Sequence, residues 1–165
     1  MADEARPLRM LVLLGEGGHT KEILILVDML GPEFEYGYVV TRQDPLSAAK
    51  IRLAGPVYRV TRPRGKDDPA WRAGLNLART AVEALRVMLD FRPDAVLTSG
   101  PALAVPFALW GRLMGREVIF IETGSRVHQL SLTGKLMRCL ATLFFVQWPQ
   151  LQERCPWAIY AGRLC

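Results

Sequence analysis

The chain has 165 residues, half of them hydrophobic, and a formal net charge of +5. That much apolar material excludes a disordered chain and supplies one core. No run of about 18 uncharged apolar residues is present to form a membrane span, and the opening MADEARPLRM is too charged for a secretory signal, so a cytosolic chain is expected. The basic balance favours an acidic partner, whether nucleic acid, an anionic membrane or a phosphorylated substrate, and does not choose among them. Cys139, Cys155 and Cys165 are odd in number and lack metal-ligand spacing, which favours reduced thiols. His19 and His128 are the only histidines, which disfavours a histidine-based zinc site.

Residues 1–8 read as a loose, charged lead-in, and 9–165 as one domain. Met10 to Leu14 is an apolar run that breaks at Gly15, Gly17 and Gly18 and restarts as a helix near Thr20. A strand that turns into a helix through glycines leaves unpaired N–H groups at the helix start, an anion site suited to phosphate. It is not a dinucleotide fingerprint, because Thr20 stands where the third glycine belongs; nor is it a P-loop, because Lys21 follows Thr20 with no second glycine before it. His19 sits beside the turn and, when neutral, can accept a proton. The alternative is a turn whose glycines only permit tight packing, with His19 as a helix cap.

Ile23, Leu24, Val27 and Leu30 continue the helix to Gly31-Pro32. Tyr36 to Thr41 is a second strand, Asp44-Pro45 predicts another helix that buries Leu46, Ala49, Ile51 and Leu53, and Val57 to Thr61 is a third strand. This βαβαβ rhythm belongs to parallel sheets. Arg62 to Pro69 is polar and bracketed by prolines, a solvated connection or a lid over an anionic substrate. Trp71 to Phe91 is the longest helical pattern. Arg72, Arg79 and Arg86 recur every seven residues, and Leu75, Val82 and Leu89 form a stripe. It is either a surface helix with a wet arginine face or a helix lying on an anionic membrane with Trp71 at the interface.

Ala95 to Thr98 is a strand with Ser99-Gly100-Pro101 as its exit; Ala102 to Met114 is a helix apolar almost all round, hence deeply buried or an interface. Glu117 to Ile121 is a strand leaving through Glu122-Thr123-Gly124-Ser125-Arg126. Leu132 to Ala141 is a short helix, Leu143 to Val146 a last strand, and Pro149 to Arg154 a final helical turn before a tail through Trp157, Ile159, Tyr160, Gly162 and Arg163. Three strand exits thus carry polar, glycine-bearing turns, and in open parallel sheets ligands bind at these ends.

Five blocks, GEGGHTKE at 15–22, RPDAVLTSGPALAVP at 92–106, IFIETGSRVHQLSLTGKLM at 119–137, FFVQWPQL at 144–151 and YAGRL at 160–164, resemble the asparagine-linked glycosylation protein 14 family and its prokaryotic polysaccharide-biosynthesis relatives. The resemblance implies an α/β, Rossmann-like parallel sheet with helices on both faces, resembling the N-terminal, acceptor-side half of a GT-B glycosyltransferase such as MurG. It implies a subunit that binds a polyprenyl-diphosphate-linked saccharide, associates peripherally with the cytoplasmic face of the membrane and recruits a donor-binding glycosyltransferase partner. The pair would transfer N-acetylglucosamine or another hexose from a UDP-sugar with inversion, without nucleic acid, metal or cofactor, the UDP-sugar being a co-substrate.

Carried onto this sequence, the resemblance makes His19 the first candidate for the catalytic base and Glu122 the second. Gly15, Gly17, Gly18, Thr20, Ser99, Gly100 and Arg126 become candidates for the acceptor diphosphate. The chain departs from the family at Glu16, where Ser or Thr is usual, at Ser99 and Ala102 of the second turn, and in the basic loop. Eukaryotic members usually begin with a membrane anchor not seen in this sequence, which points to a prokaryotic member or a shortened chain. Two other functions fit less of the sequence. One is a non-catalytic adaptor that positions a self-sufficient transferase. The other, a Rossmann-type nucleotide enzyme, is disfavoured because the second strand closes in Thr41-Arg42 with no acidic ribose ligand.

Overall fold

The computed structural model describes residues 6–15, 17–63 and 69–164. Strand β1, Arg9–Leu13, is apolar on both sides and lies inside the sheet, third of its seven strands. Helix α1, Gly18–Leu30, ends where Gly31 takes φ 71° and its N–H closes on the Val27 carbonyl. Then follow β2 (Glu35–Thr41), β3 (Val57–Val60), α2 (Ala70–Phe91), β4 (Ala95–Thr98), α3 (Ala104–Leu113), β5 (Glu117–Ile121), α4 (Leu132–Met137), β6 (Leu143–Val146), α5 (Pro149–Arg154) and β7 (Ile159–Tyr160). Every pairing is parallel, in the order β3-β2-β1-β4-β5-β6-β7. The chain builds leftward from β1, crosses back along α2 and builds rightward from β4. The order therefore reverses between β1 and β4, where a parallel sheet opens a crevice at its carboxyl end.

Alternation along the strands sends Leu11, Leu13, Val96, Val118 and Phe120 to one face, against Ala84, Met88 and Phe91 of α2, Phe107 and Ala108 of α3 and Met137 of α4. Met10, Val12, Leu14, Tyr38 and Leu97 go to the other face, against Ile23, Leu24 and Val27 of α1. Helices thus cover both faces, but unequally. Beside α1, Ile119 and Phe145 are only half-buried and line an apolar trough with Leu26 and the tail residues Ala161 to Leu164.

The structure corrects three sequence expectations. Asp44 to Leu53 is not a helix: only Ala48–Lys50 makes a 3-10 turn, and Leu46 and Ala49 are exposed. The Asp44 carboxylate accepts the N–H groups of Leu46 and Ser47 and the Ser47 hydroxyl, a local turn that competes with helix formation. The helix expected over 132–141 stops at Met137. Ile159–Tyr160, taken as tail, pairs with Phe145 and Val146 as a seventh strand. Within the lead-in, Arg6 is tied to Asp94 at 2.8 Å. Most of the basic loop expected at 62–69, together with Glu16 and Cys165, lies outside the described residues.

The apolar positions of α2 form two stripes. Ala84, Val87, Met88 and Phe91 face the core, whereas Trp71 (68% exposed), Leu75 (61%), Val82 and Leu89 face solvent. Among the described residues no helix is long and apolar enough to cross a membrane.

Candidate functional site

The exits of β1 and β4 meet at the point where the strand order reverses. Gly15 is buried there, and a Cβ on it would lie 2.9 Å from the His19 Cβ and 3.0 Å from the Pro101 Cβ, so only glycine lets the two turns touch. Gly17 turns the chain with φ 64° and precedes α1 without any side-chain cap; the first turn holds no acidic residue. Among the described residues, therefore, no side chain neutralises its N–H groups, at the positive end of the helix. Lys21 and Lys50 border the adjoining shallow concavity.

His19 is half-buried on this first turn, with its ring laid against Gly100. Gly100 has φ 78°, and a Cβ there would sit 2.9 Å from Cε1 and 3.2 Å from Nδ1 of the imidazole. His19 Nδ1 is buried with no hydrogen-bond partner among the described residues.

Two of the candidate diphosphate ligands have other work for their side chains. Ser99 is fully buried and donates its hydroxyl to the His19 carbonyl at 3.0 Å. Thr20 is also fully buried; its hydroxyl donates to the Gly15 carbonyl and bonds the Ser47 hydroxyl. They fix the histidine and the glycine turn from behind, which leaves the N–H groups of the turn and of the first turn of α1 as the donors toward the cleft.

Glu122, at the exit of β5, is likewise turned away. It is 0% exposed. Its carboxylate accepts the Ser131 N–H at 2.9 Å, the Ser131 hydroxyl at 3.1 Å and the Thr123 N–H at 3.1 Å. Burial pushes its pKa up, while these donors and the charge of Arg126 hold it down, and burial prevails. A Cβ on Gly134 would fall 2.0 Å from Glu122 Oε2, so the glycine in α4 exists to admit the carboxylate. Ser131 in turn caps α4 by accepting the Gly134 N–H at 2.9 Å. Glu122 thus fastens the loop between β5 and α4, and Arg126 stands exposed on that loop.

Three residues that sequence reasoning passed over complete the support. Glu22, buried one turn beyond His19, accepts the Thr123 hydroxyl at 3.1 Å and the Gly124 N–H at 3.0 Å. Gln147 donates to the Glu122 carbonyl at 3.1 Å and accepts the Leu164 N–H at 2.9 Å. Trp148 donates to the Gly124 carbonyl at 2.7 Å, with the Arg163 guanidinium 4.1 Å above its ring. The signal was the Gln147-Trp148 pair, polar donors directly behind an apolar strand.

A parallel sheet reversing at two glycine turns, with a histidine between them and an uncapped helix beside it, defines a Rossmann-like domain of the kind that forms the N-terminal half of a GT-B glycosyltransferase. The fold matches Acinetobacter baumannii MurG with a TM-score of 0.68 and 21% identity, over 87% of this chain and 42% of that one. It also matches a UDP-GlcNAc 2-epimerase from Neisseria meningitidis bound to UDP-GlcNAc, with a TM-score of 0.66 and 17% identity over 95% and 47% of the two chains. The chain spans less than half the length of either. The chain belongs to the Alg14-like family of oligosaccharide biosynthesis proteins, whose family model matches residues 10–164. Relatives include the UDP-N-acetylglucosamine transferase subunit ALG14 of Mus musculus, 34% identical over 95% of this chain and 83% of that protein. The protein of the same name from Schizosaccharomyces pombe is 30% identical over 93% and 81%.

Proposed function

We propose that this protein is the acceptor-side subunit of a two-component UDP-sugar glycosyltransferase. It binds a polyprenyl-diphosphate-linked saccharide at the cytoplasmic face of the membrane and works with a donor-binding partner, without which it is inactive. N-acetylglucosamine is the first choice of sugar, from the names of its relatives. The observation that carries the reading is the half-buried His19 imidazole, held on Gly100 beside the start of α1, where the two glycine turns meet.

In this reading the N–H groups at Gly17, Gly18, His19 and Thr20 receive the diphosphate, with Gly15 and Gly100 giving it close approach to the backbone. The acceptor hydroxyl attacks the anomeric carbon of the UDP-sugar. As the new C–O bond forms, the bond to UDP breaks with inversion, and the hydroxyl proton passes to His19. Ser99 and Thr20 position the ring and the turn, while Glu122 holds the loop that carries Arg126. Arg126 faces outward, free to meet the acceptor diphosphate.

Two surfaces support the remaining components. The outward stripe of α2, Trp71, Leu75, Val82 and Leu89, is flanked by Arg72, Arg79 and Arg86 and suits an anionic bilayer. The trough at Ile119 and Phe145 is apolar, with Arg9, Asp94, Glu117 and Arg163 of both signs at its edges and no row of cations like that of α2, which suits the partner subunit. The test is recovery of the tagged chain from membranes of the source cell, followed by a UDP-sugar transfer assay on the complex. The proposal expects a second, Rossmann-like protein and transfer only by the pair. A co-purified protein that is fully active alone makes the chain an adaptor and overturns the proposal.

A further inference from the structure

A groove of about 310 Å³ runs between α2, α3 and α4, walled by Ala73, Gly74, Leu77, Ala102, Leu132 and Leu136. We propose that it holds the first isoprene units of the lipid-linked acceptor, an inference that rests on the diphosphate reading above. The groove begins where the anion turns end. Ala102 in its wall follows Pro101, the residue packed against Gly15, so a molecule with a diphosphate head and a hydrocarbon tail meets both features within consecutive residues.

Among the described residues no charged side chain lines it, and Leu132 (70% exposed) and Leu136 stand largely in water, where a hydrocarbon would cover them. Gly74 points the same way. Glycine in a helix is less stable than any side chain except proline, and a Cβ there would meet no atom within 4 Å, so packing does not require it.

At the α2 side the groove adjoins the stripe of Trp71, Leu75, Val82 and Leu89 with its row of arginines, so a chain leaving it arrives at the surface suited to anionic lipid.

The test is photo-cross-linking of the full chain with geranylgeranyl diphosphate carrying a diazirine on its second isoprene unit, with and without excess inorganic pyrophosphate, followed by peptide mapping. Label is expected on 73–77 and 132–136 and is suppressed by pyrophosphate. Gly74→Leu, which fills the groove while favouring the helix, is expected to lower labelling at least tenfold and to leave binding of inorganic pyrophosphate within twofold. Pyrophosphate-sensitive label elsewhere, for example in the trough at Ile119 and Phe145, or equal labelling of Gly74→Leu, overturns the groove and spares the diphosphate site. Labelling that pyrophosphate does not suppress, or no labelling, overturns both.

Discussion

Replacing Gly100 by alanine separates the histidine's placement from the stability of the fold. Two effects add at this position. The φ of 78° is strained for any side chain, at about 1–2 kcal/mol. The new Cβ also lies 2.9 Å from Cε1 of His19, roughly half an ångström inside ordinary contact, so the ring has to shift. Gly31→Ala provides the reference, with φ 71° and no atom within 4 Å of the added Cβ, at the far end of α1. Gly31→Ala should lose about 1–2 kcal/mol in urea melts, which lowers Tm by roughly 2–8 °C in a domain of this size, and Gly100→Ala at least as much. Only Gly100→Ala should lose activity. A displacement of about 1 Å costs about a hundredfold in rate, so half of that predicts kcat down about tenfold, with KM for the UDP-sugar unchanged, in the reconstituted pair. Equal activity of the two variants would refute the idea that the imidazole is held by Gly100 for catalysis.

Glu122 supplies a pH signature. Its pKa is raised in the folded chain, mainly by burial, so the native state binds a proton that the unfolded chain releases above about 4.5. Stability from this group is therefore present below pH 4.5 and declines as the pH rises through the folded value. Glu122→Gln should abolish that decline in urea melts between pH 4 and 8, and an unchanged slope would show that another group is responsible. Asp94 has the opposite sign. The Arg9 N–H, with Arg6 and Arg116 nearby, holds its pKa below 3.8, so the stability it gives is present above that pH and fades on acidification. Asp94→Asn should flatten the acid limb of the same melts. Gly134→Ala drives a Cβ into the Glu122 carboxylate and should cost about 3 kcal/mol or more, read as a fall in the urea midpoint. On α2, Leu75→Asp with Val82→Asp should lower sedimentation with vesicles containing anionic lipid about tenfold. The urea midpoint should stay nearly constant, because both side chains already face solvent.

The parallel sheet was legible because its strands are apolar runs closed by glycine turns, and β1 through Gly18 states both the strand and the turn within ten residues. The segment after β2 was not, because Asp44-Pro45 begins a helix and an Asx turn equally well, and only the Ser47 contacts to Thr20 and Gly15 decide for the turn. β7 escaped because two residues carry no periodicity and need β6 beside them. In α2 the outward leucines were visible, but their exposure was not, since spacing gives a face and not what covers it. The site divides in the same way. Gly15, His19 and Gly100 were singled out from the turns and do meet, whereas the inward commitments of Thr20, Ser99 and Glu122 depend on partners 5, 80 and 9 residues away. Glu22 and Gln147 matter through contacts 102 and 25 residues distant, which no local pattern announces.

The most direct test of the account is turnover of His19→Ala in complex with the donor-binding partner, with the integrity of the complex followed by pull-down. The account predicts a kcat lowered by about a hundredfold or more with the complex intact. Full turnover by the intact variant complex would contradict it, because the proton of the attacking hydroxyl would then be leaving by another route.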